Sequence, residues 1–217
     1  MKKRIIFLDL WRGVAVFAMI VFHFFYILDF YDFLSLNLSD GMVDFLANLV
    51  RCSFLILVGI SLTFSSKNQV VRGLKLLLIA MGVSLATYLV VGELYVRFGI
   101  LHLIAFGIIL AGNLRKRPSL CLLLAGLVFI GSFWIGDLGL RSWWAYPLGT
   151  GGFDTLDYFP IFPWLGFMFL GVWMAKLPWP KVRSVAWLEY LGRHSLKIYL
   201  LHIPLIWGLL KVVTLID

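Results

Sequence analysis

Seven runs of mostly apolar residues divide this chain, at 5–27, 42–64, 73–92, 97–113, 119–136, 160–176 and 195–213. About 20 such residues in an α-helix, rising roughly 1.5 Å each, match the ~30 Å hydrocarbon core of a bilayer. Inside hydrocarbon each backbone N–H and C=O needs an internal partner, so such runs fold as helices. The pattern predicts an all-α, polytopic integral membrane bundle of about seven transmembrane helices, a single domain over 1–217. Composition agrees, with 62% hydrophobic and 14% charged residues, against about half and about a quarter in soluble domains. That excludes a soluble globular enzyme, a disordered chain and a small disulfide scaffold. No Ala-x-Ala-like site follows the first run, which is read as a retained anchor. The sixth run is the weakest, because Pro160 and Pro163 break its start.

The net charge of +8 is a topology signal and not a nucleic-acid footprint. With the N-terminus inside, the inner segments hold fourteen of the nineteen basic residues: Lys2, Lys3, Arg4, Lys67, Arg72, Lys75, Arg115, Lys116, Arg117, Lys176, Lys181, Arg183, Arg193 and Lys197. Asp29, Asp32, Asp40, Asp44, Glu93, Asp137, Asp154, Asp157 and Asp217 gather at or near the other face. This asymmetry predicts a cytosolic N-terminus and, with seven spans, a C-terminus outside. Cys52 and Cys121 lie in apolar runs without metal spacing and read as packed thiols. No dense Cys, His and acid cluster points to a metal.

Polar residues inside spans are costly, and they mark either helix locking or function. On the first run Arg12 and His23 are eleven residues apart, so they face one direction about 16 Å apart along the axis. Asp9, three residues before Arg12, is placed to pair with it. Arg12 is either half of a packing ion pair or a cation for an anionic group arriving from the cytosol. His23 is either an interhelical hydrogen-bonding group or a proton acceptor, as imidazole titrates near neutrality. Asp44, Asn48 and Arg51 form one polar face on the second run, a clamp or a substrate contact. His102 opens the fourth run near the depth of His23, and two imidazoles at one depth can share a proton. Ser195, Tyr199 and His202 share a face of the last run, with His202 about 10 Å from the inner end, near the depth of Arg12. Pro204 frees the carbonyl of Leu200. Trp143, Trp144 and Tyr146 suit an interfacial belt, or a sugar-stacking surface. The chain has no GxSxG elbow, no HExxH, no P-loop and no Rossmann fingerprint.

Asp9-Leu10-Trp11-Arg12-Gly13, continued by MIVFHF at 19–24, resembles the opening of the catalytic domain of heparan-alpha-glucosaminide N-acetyltransferase and its short bacterial relatives. FLILVGISLTFS (54–65), RFGILHLIA (97–105), DYFPIFPWLGFMFLG (157–171) and LGRHSLKIYLLHIPLIW (191–207) are similar to later blocks of that family, in the same order. The Arg-x10-His spacing of Arg12 and His23 is also similar to the signature of the type-three membrane acyltransferases, which modify envelope sugars. The resemblance implies acetyl-CoA or another acyl-CoA donated from the cytosolic side, a glycan or other acceptor on the far side, and functional roles for Arg12 and His23. The larger eukaryotic enzyme carries its catalytic His in the segment after its first helix. Residues 29–40 here contain no His, so that role falls on His23 or His102.

The resulting expectation is a membrane acyltransferase, of the bacterial inner or plasma membrane, moving an acetyl group to an amine or hydroxyl. Its catalytic residues are His23, His102 and Asp9. The donor lies against Arg12, His202, Tyr199 and Ser195, and the acceptor against Asp44, Arg51, Arg97 and Asp157. Direct transfer and an acyl-histidine intermediate both remain open, as do a sealed monomer and a homodimer. The rival is a small proton-coupled permease, for which buried Arg, Asp and His serve a proton relay. The absence of visible inverted repeats weighs against it.

Overall fold

The computed structural model of the protein describes residues 5–31, 33, 41–135, 146–150 and 154–214. Lys2, Lys3, Arg4, Arg141, Trp143 and Trp144 lie outside the described residues. The described chain forms eight α-helices: α1 (Ile6–Phe30), α2 (Gly41–Phe64), α3 (Gln69–Val91), α4 (Ile100–Asn113), α5 (Pro118–Ile135), α6 (Ile161–Met174), α7 (Ala186–Arg193) and α8 (Ser195–Thr214). Beyond the helices, Phe98 and Tyr158 form a single parallel bridge.

Four of these helices are long and apolar enough to cross a membrane: Ile6–Asp29, Gly41–Phe64, Gln69–Leu94 and Pro118–Ile135. Their outer faces suit lipid, with Leu78 74%, Leu89 76% and Phe133 78% exposed. The expected fourth and sixth spans are shorter than the sequence suggests, because α4 and α6 have 14 residues each. Both lose their first residues to extended backbone. Residues 95–99 and 154–160 are knitted together: Leu156 N–H donates to Leu94 O, Phe159 N–H to Phe98 O, and the Thr155 hydroxyl to Tyr95 O. A segment bonded sideways in this way cannot also supply helical i→i−4 bonds.

The chain divides into two compact units. The first comprises Met1–Phe54 and Pro178–Asp217, the second Leu55–Leu177. In the first unit α7 lies against the first half of α1. Trp187 meets Phe17 edge-on, Leu188 faces Gly13, and Gly192 faces Asp9. Glycine is required at both contacts: a Cβ on Gly13 would enter the Leu188 carbonyl, and one on Gly192 the Asp9 carbonyl. The buried Glu189 of α7 receives Ser184 on one carboxylate oxygen and Arg193, at 2.5 Å, on the other. Trp179 stacks on Phe7 before α7 begins.

In the second unit α3 and α4 form one close pair. Gly73 meets Ala105 and Ile109, and Gly112 meets the buried Gln69. α5 and α6 form another, with Phe129 against Gly166 and Phe162 against Gly131. Gly107 seats Met168, while Gly59 and Gly171 bring α2 and α6 to backbone contact. Leu55, Leu57, Ile60, Leu62, Leu103 and Met168 fill the core, each fully buried.

Candidate functional site

α1 sorts its residues by side. Leu8, Asp9, Ala15, Val16 and Ile27 are buried, whereas Val14, Phe17, Val21 and Phe24 are exposed. Arg12 and His23 fall with the buried set, as 100° per residue requires. Their shared stripe therefore faces protein. The Arg12 guanidinium donates to Asp9 Oδ1 at 3.2 Å, with the Asp9 carboxylate 8% exposed. The expected pair is present in the first half of the helix.

His23 donates from Nδ1 to its own helix, to Met19 O at 2.8 Å. In the neutral ring that leaves the Nε2 lone pair as the free acceptor. The neighbouring imidazole is His202 of α8, with ring centroids 4.8 Å apart and planes at 81°. His202 is likewise anchored through Nδ1, to Tyr199 O at 2.6 Å. It is 5% exposed, and its Nε2 is buried with no hydrogen-bond partner among the described residues. The two neighbouring rings therefore take the same tautomer, each with a basic lone pair on Nε2, and no hydrogen bond joins them.

This contact corrects the depth assigned to His202. Measured from a common inner end it belongs beside Arg12, but the structure sets it beside His23. His23 is seventeen residues past the start of α1, and His202 seven past the start of α8. At ~1.5 Å per residue the two starts are offset by roughly 15 Å. α7, just before α8, occupies the flank of α1 between Phe17 and Asp9. Farther along, Trp207 Nε1–H donates to the Tyr31 hydroxyl, so α1 and α8 run parallel.

On α2 the predicted polar face forms. Asn48 donates to Asp44 Oδ2 at 3.0 Å, Arg51 donates to Asn48 Oδ1 at 2.9 Å, and Arg51 and Asp44 approach to 3.9 Å. The Arg51 guanidinium lies 5.8 Å from the centroid of Phe22, which packs edge-on against His23. Ser195 begins α8, and the Tyr199 ring lies 5.6 Å from His202.

His102 belongs to the second unit, and its surroundings differ. Gly99 N–H donates to its Nδ1 at 3.3 Å, so the third residue of α4 reaches back to the helix start. Its Nε2 lies 3.4 Å from Ser84 Oγ, whose proton goes to Val96 O at 2.5 Å. One neutral tautomer, protonated at Nε2, satisfies all three bonds. Asp157 accepts from Ile100 N–H at 3.0 Å, a charged cap on the start of α4. Arg97 holds the Glu93 carboxylate at 2.9 Å and covers the Tyr95 ring at 4.4 Å. The Tyr158 hydroxyl donates to Tyr146 O at 2.6 Å. Burial, with the neighbouring Tyr158 phenol, pushes the Tyr146 hydroxyl up to about 12, so it stays protonated at physiological pH. Sequence reasoning missed α7 and the His23–His202 pair. The strongly amphipathic AWLEYLGR between two apolar segments was the signal for the first.

Among the described residues no cluster of His, Cys, Asp and Glu forms a metal site. No curated protein and no solved structure shows a significant match to the chain. The sequence profile of the heparan-alpha-glucosaminide N-acetyltransferase catalytic domain matches residues 4–204, a span that contains Asp9, Arg12, His23, Arg51, His102 and His202. With nearly its whole length matched, the chain belongs to that acetyltransferase family.

Proposed function

We propose that this protein is a membrane acetyltransferase that carries an acetyl group from cytosolic acetyl-CoA to an amine or hydroxyl on the far side of the bilayer, an envelope sugar being the favoured acceptor. The observation that carries the reading is the inward stripe of α1, with a cation in its first half and a basic imidazole nitrogen about 16 Å farther along. An extended pantetheine arm has a length of that order.

Arg12, steadied by Asp9, takes an anionic part of the donor, a task suited to a fixed guanidinium. Ser195 and Tyr199 flank the donor path. His23 Nε2 takes the proton of the acceptor as its nitrogen or oxygen attacks the thioester carbonyl. The C–S bond breaks, CoA leaves as thiolate, and that sulfur is reprotonated. Asp44 and Arg51 meet the polar acceptor, since their network ends beside the Phe22–His23 contact. His102, with both ring nitrogens occupied, serves as architecture, as do Asp157 and Arg97. In this reading the chain crosses a bacterial plasma membrane seven times with its N-terminus in the cytosol, as the charge asymmetry favours.

Purified protein is expected to transfer label from acetyl-CoA to an amino- or hydroxyl-bearing sugar. His23→Ala is expected to lower turnover at least ~100-fold, the usual scale of a lost general base, with its thermal unfolding unchanged. Wild-type turnover in that variant discards the assignment.

A further inference from the structure

His202 has no role in the reaction as written, yet its position is costly. A buried imidazole nitrogen without a partner forfeits the hydrogen bond it would make in water, and His202 Nε2 is such an atom among the described residues. Its Nδ1 is committed to Tyr199 O, so it can take up or release a proton only through Nε2. Among the described residues its ring-to-ring neighbour across helices is His23, at 4.8 Å and similarly committed. Two imidazolium ions that close, away from water, would repel strongly, so the pair takes up at most one proton beyond the two on Nδ1.

We propose that His202 is the proton partner of His23, the two imidazoles forming a single relay that moves one proton from the acceptor to the departing sulfur. The inference rests on the acetyltransferase reading above. As the acceptor forms its bond to the acetyl carbon, its proton passes to His23 Nε2. His23 Nε2–H then finds an acceptor in His202 Nε2, which has no partner in the resting structure, so the charge is shared, and the same proton returns to the CoA thiolate. No proton is gained or lost, and both rings end neutral. His202 acts through His23 and is a positioning and relay residue. Around the pair, among the described residues, Arg51 of α2 lies against Phe22 beside His23 and is held in turn by Asn48 and Asp44; Tyr199 of α8 lies against His202; and Tyr31, bonded to Trp207, is at the upper end. Glu189 and Arg193 of α7 accompany Asp9 and Arg12 at the lower end.

The test compares His202→Phe, which keeps an aromatic edge against His23, with His202→Ala. Both are expected to lower kcat about 100-fold while KM for acetyl-CoA changes less than about threefold, because a proton transfer and not a binding contact is lost. Added imidazole is expected to restore kcat of His202→Ala at least tenfold, more strongly as rising pH increases its neutral fraction. Pyrrole, the same ring without a basic nitrogen, is expected to restore none. A His202→Phe enzyme within twofold of wild-type kcat, or equal rescue by pyrrole, overturns the proposal. If neither variant inserts stably, 15N spectra of histidine-labelled wild type decide. Two Nδ1-protonated rings that take up one proton between them support the relay, and independent titration of both rings overturns it. A wild type that never turns over acetyl-CoA sinks the acetyltransferase reading instead, and the 15N titration then judges the pair by itself.

Discussion

His23 and His102 are both imidazoles near a helix end, and what separates them is the fate of their nitrogens. His102 has both engaged, to Gly99 N–H and Ser84 Oγ, whereas His23 spends one on its own helix. His102→Ala takes the acceptor from the buried Gly99 N–H and the donor from Ser84 Oγ, whose own proton stays on Val96 O, and is expected to lower the unfolding free energy by about 1–3 kcal/mol. Its turnover per folded molecule is expected to fall far less than that of His23→Ala. Thermal melts beside acetyl-transfer rates make the comparison, and a His102→Ala protein that keeps its stability yet loses turnover returns the base to His102. At this scale much was legible. The i, i+3 spacing of Asp9 and Arg12 and the i, i+4, i+7 spacing of Asp44, Asn48 and Arg51 report neighbours on one helix, and those bonds form. The partner of His23 was not legible, since nothing local to residues 19–24 refers to residue 202.

Helices read from apolar length alone came through closely. The runs at 42–64 and 119–136 became Gly41–Phe64 and Pro118–Ile135. Where the reading failed, a competing interaction took the backbone or the helix was too short to show as a span. Residues 97–99 pair sideways with the 154–160 segment and never join α4, while α7 has only eight residues. Yet α7 packs on α1 through two glycines and leads directly into α8, which carries His202. Gly13→Ala and Gly192→Ala each push a methyl group into a backbone carbonyl across the α1–α7 contact. Each is expected to cost about 1–3 kcal/mol, the scale of overpacking, and to lower acetyl transfer as well. Because they share one interface, the double variant is expected to be non-additive. Gly126→Ala in α5, where a Cβ meets nothing within 4 Å, is the control; it is expected to be neutral or to stabilise by up to about 1 kcal/mol through helix propensity. Equal melting temperatures for Gly13→Ala and Gly126→Ala would refute the docking role of α7.

Across the whole chain, the proposed orientation rests on charge. Arg115, Lys116 and Arg117 follow α4, and Glu93 follows α3 at the opposite ends of the α3–α4 pair. In a background with Cys52 and Cys121 replaced, Glu93→Cys is expected to react with a membrane-impermeant maleimide in spheroplasts, where the outer face is open. Lys116→Cys is expected to react only once the membrane is opened. The reverse pattern inverts the proposed topology, and with it the side from which acetyl-CoA arrives.

The brevity of α4 and α6 has a consequence for the bilayer itself. Fourteen residues reach roughly 21 Å, so two adjoining helices fall about 9 Å short of the usual oily thickness. Both start from the knot of Thr155, Asp157 and Tyr95, on the non-cytosolic side in the proposed orientation. In the proposed seven-span arrangement that shortfall falls inside the second unit, where α4 is mostly buried, and water entering above the knot gives a bulky sugar an approach that avoids oil.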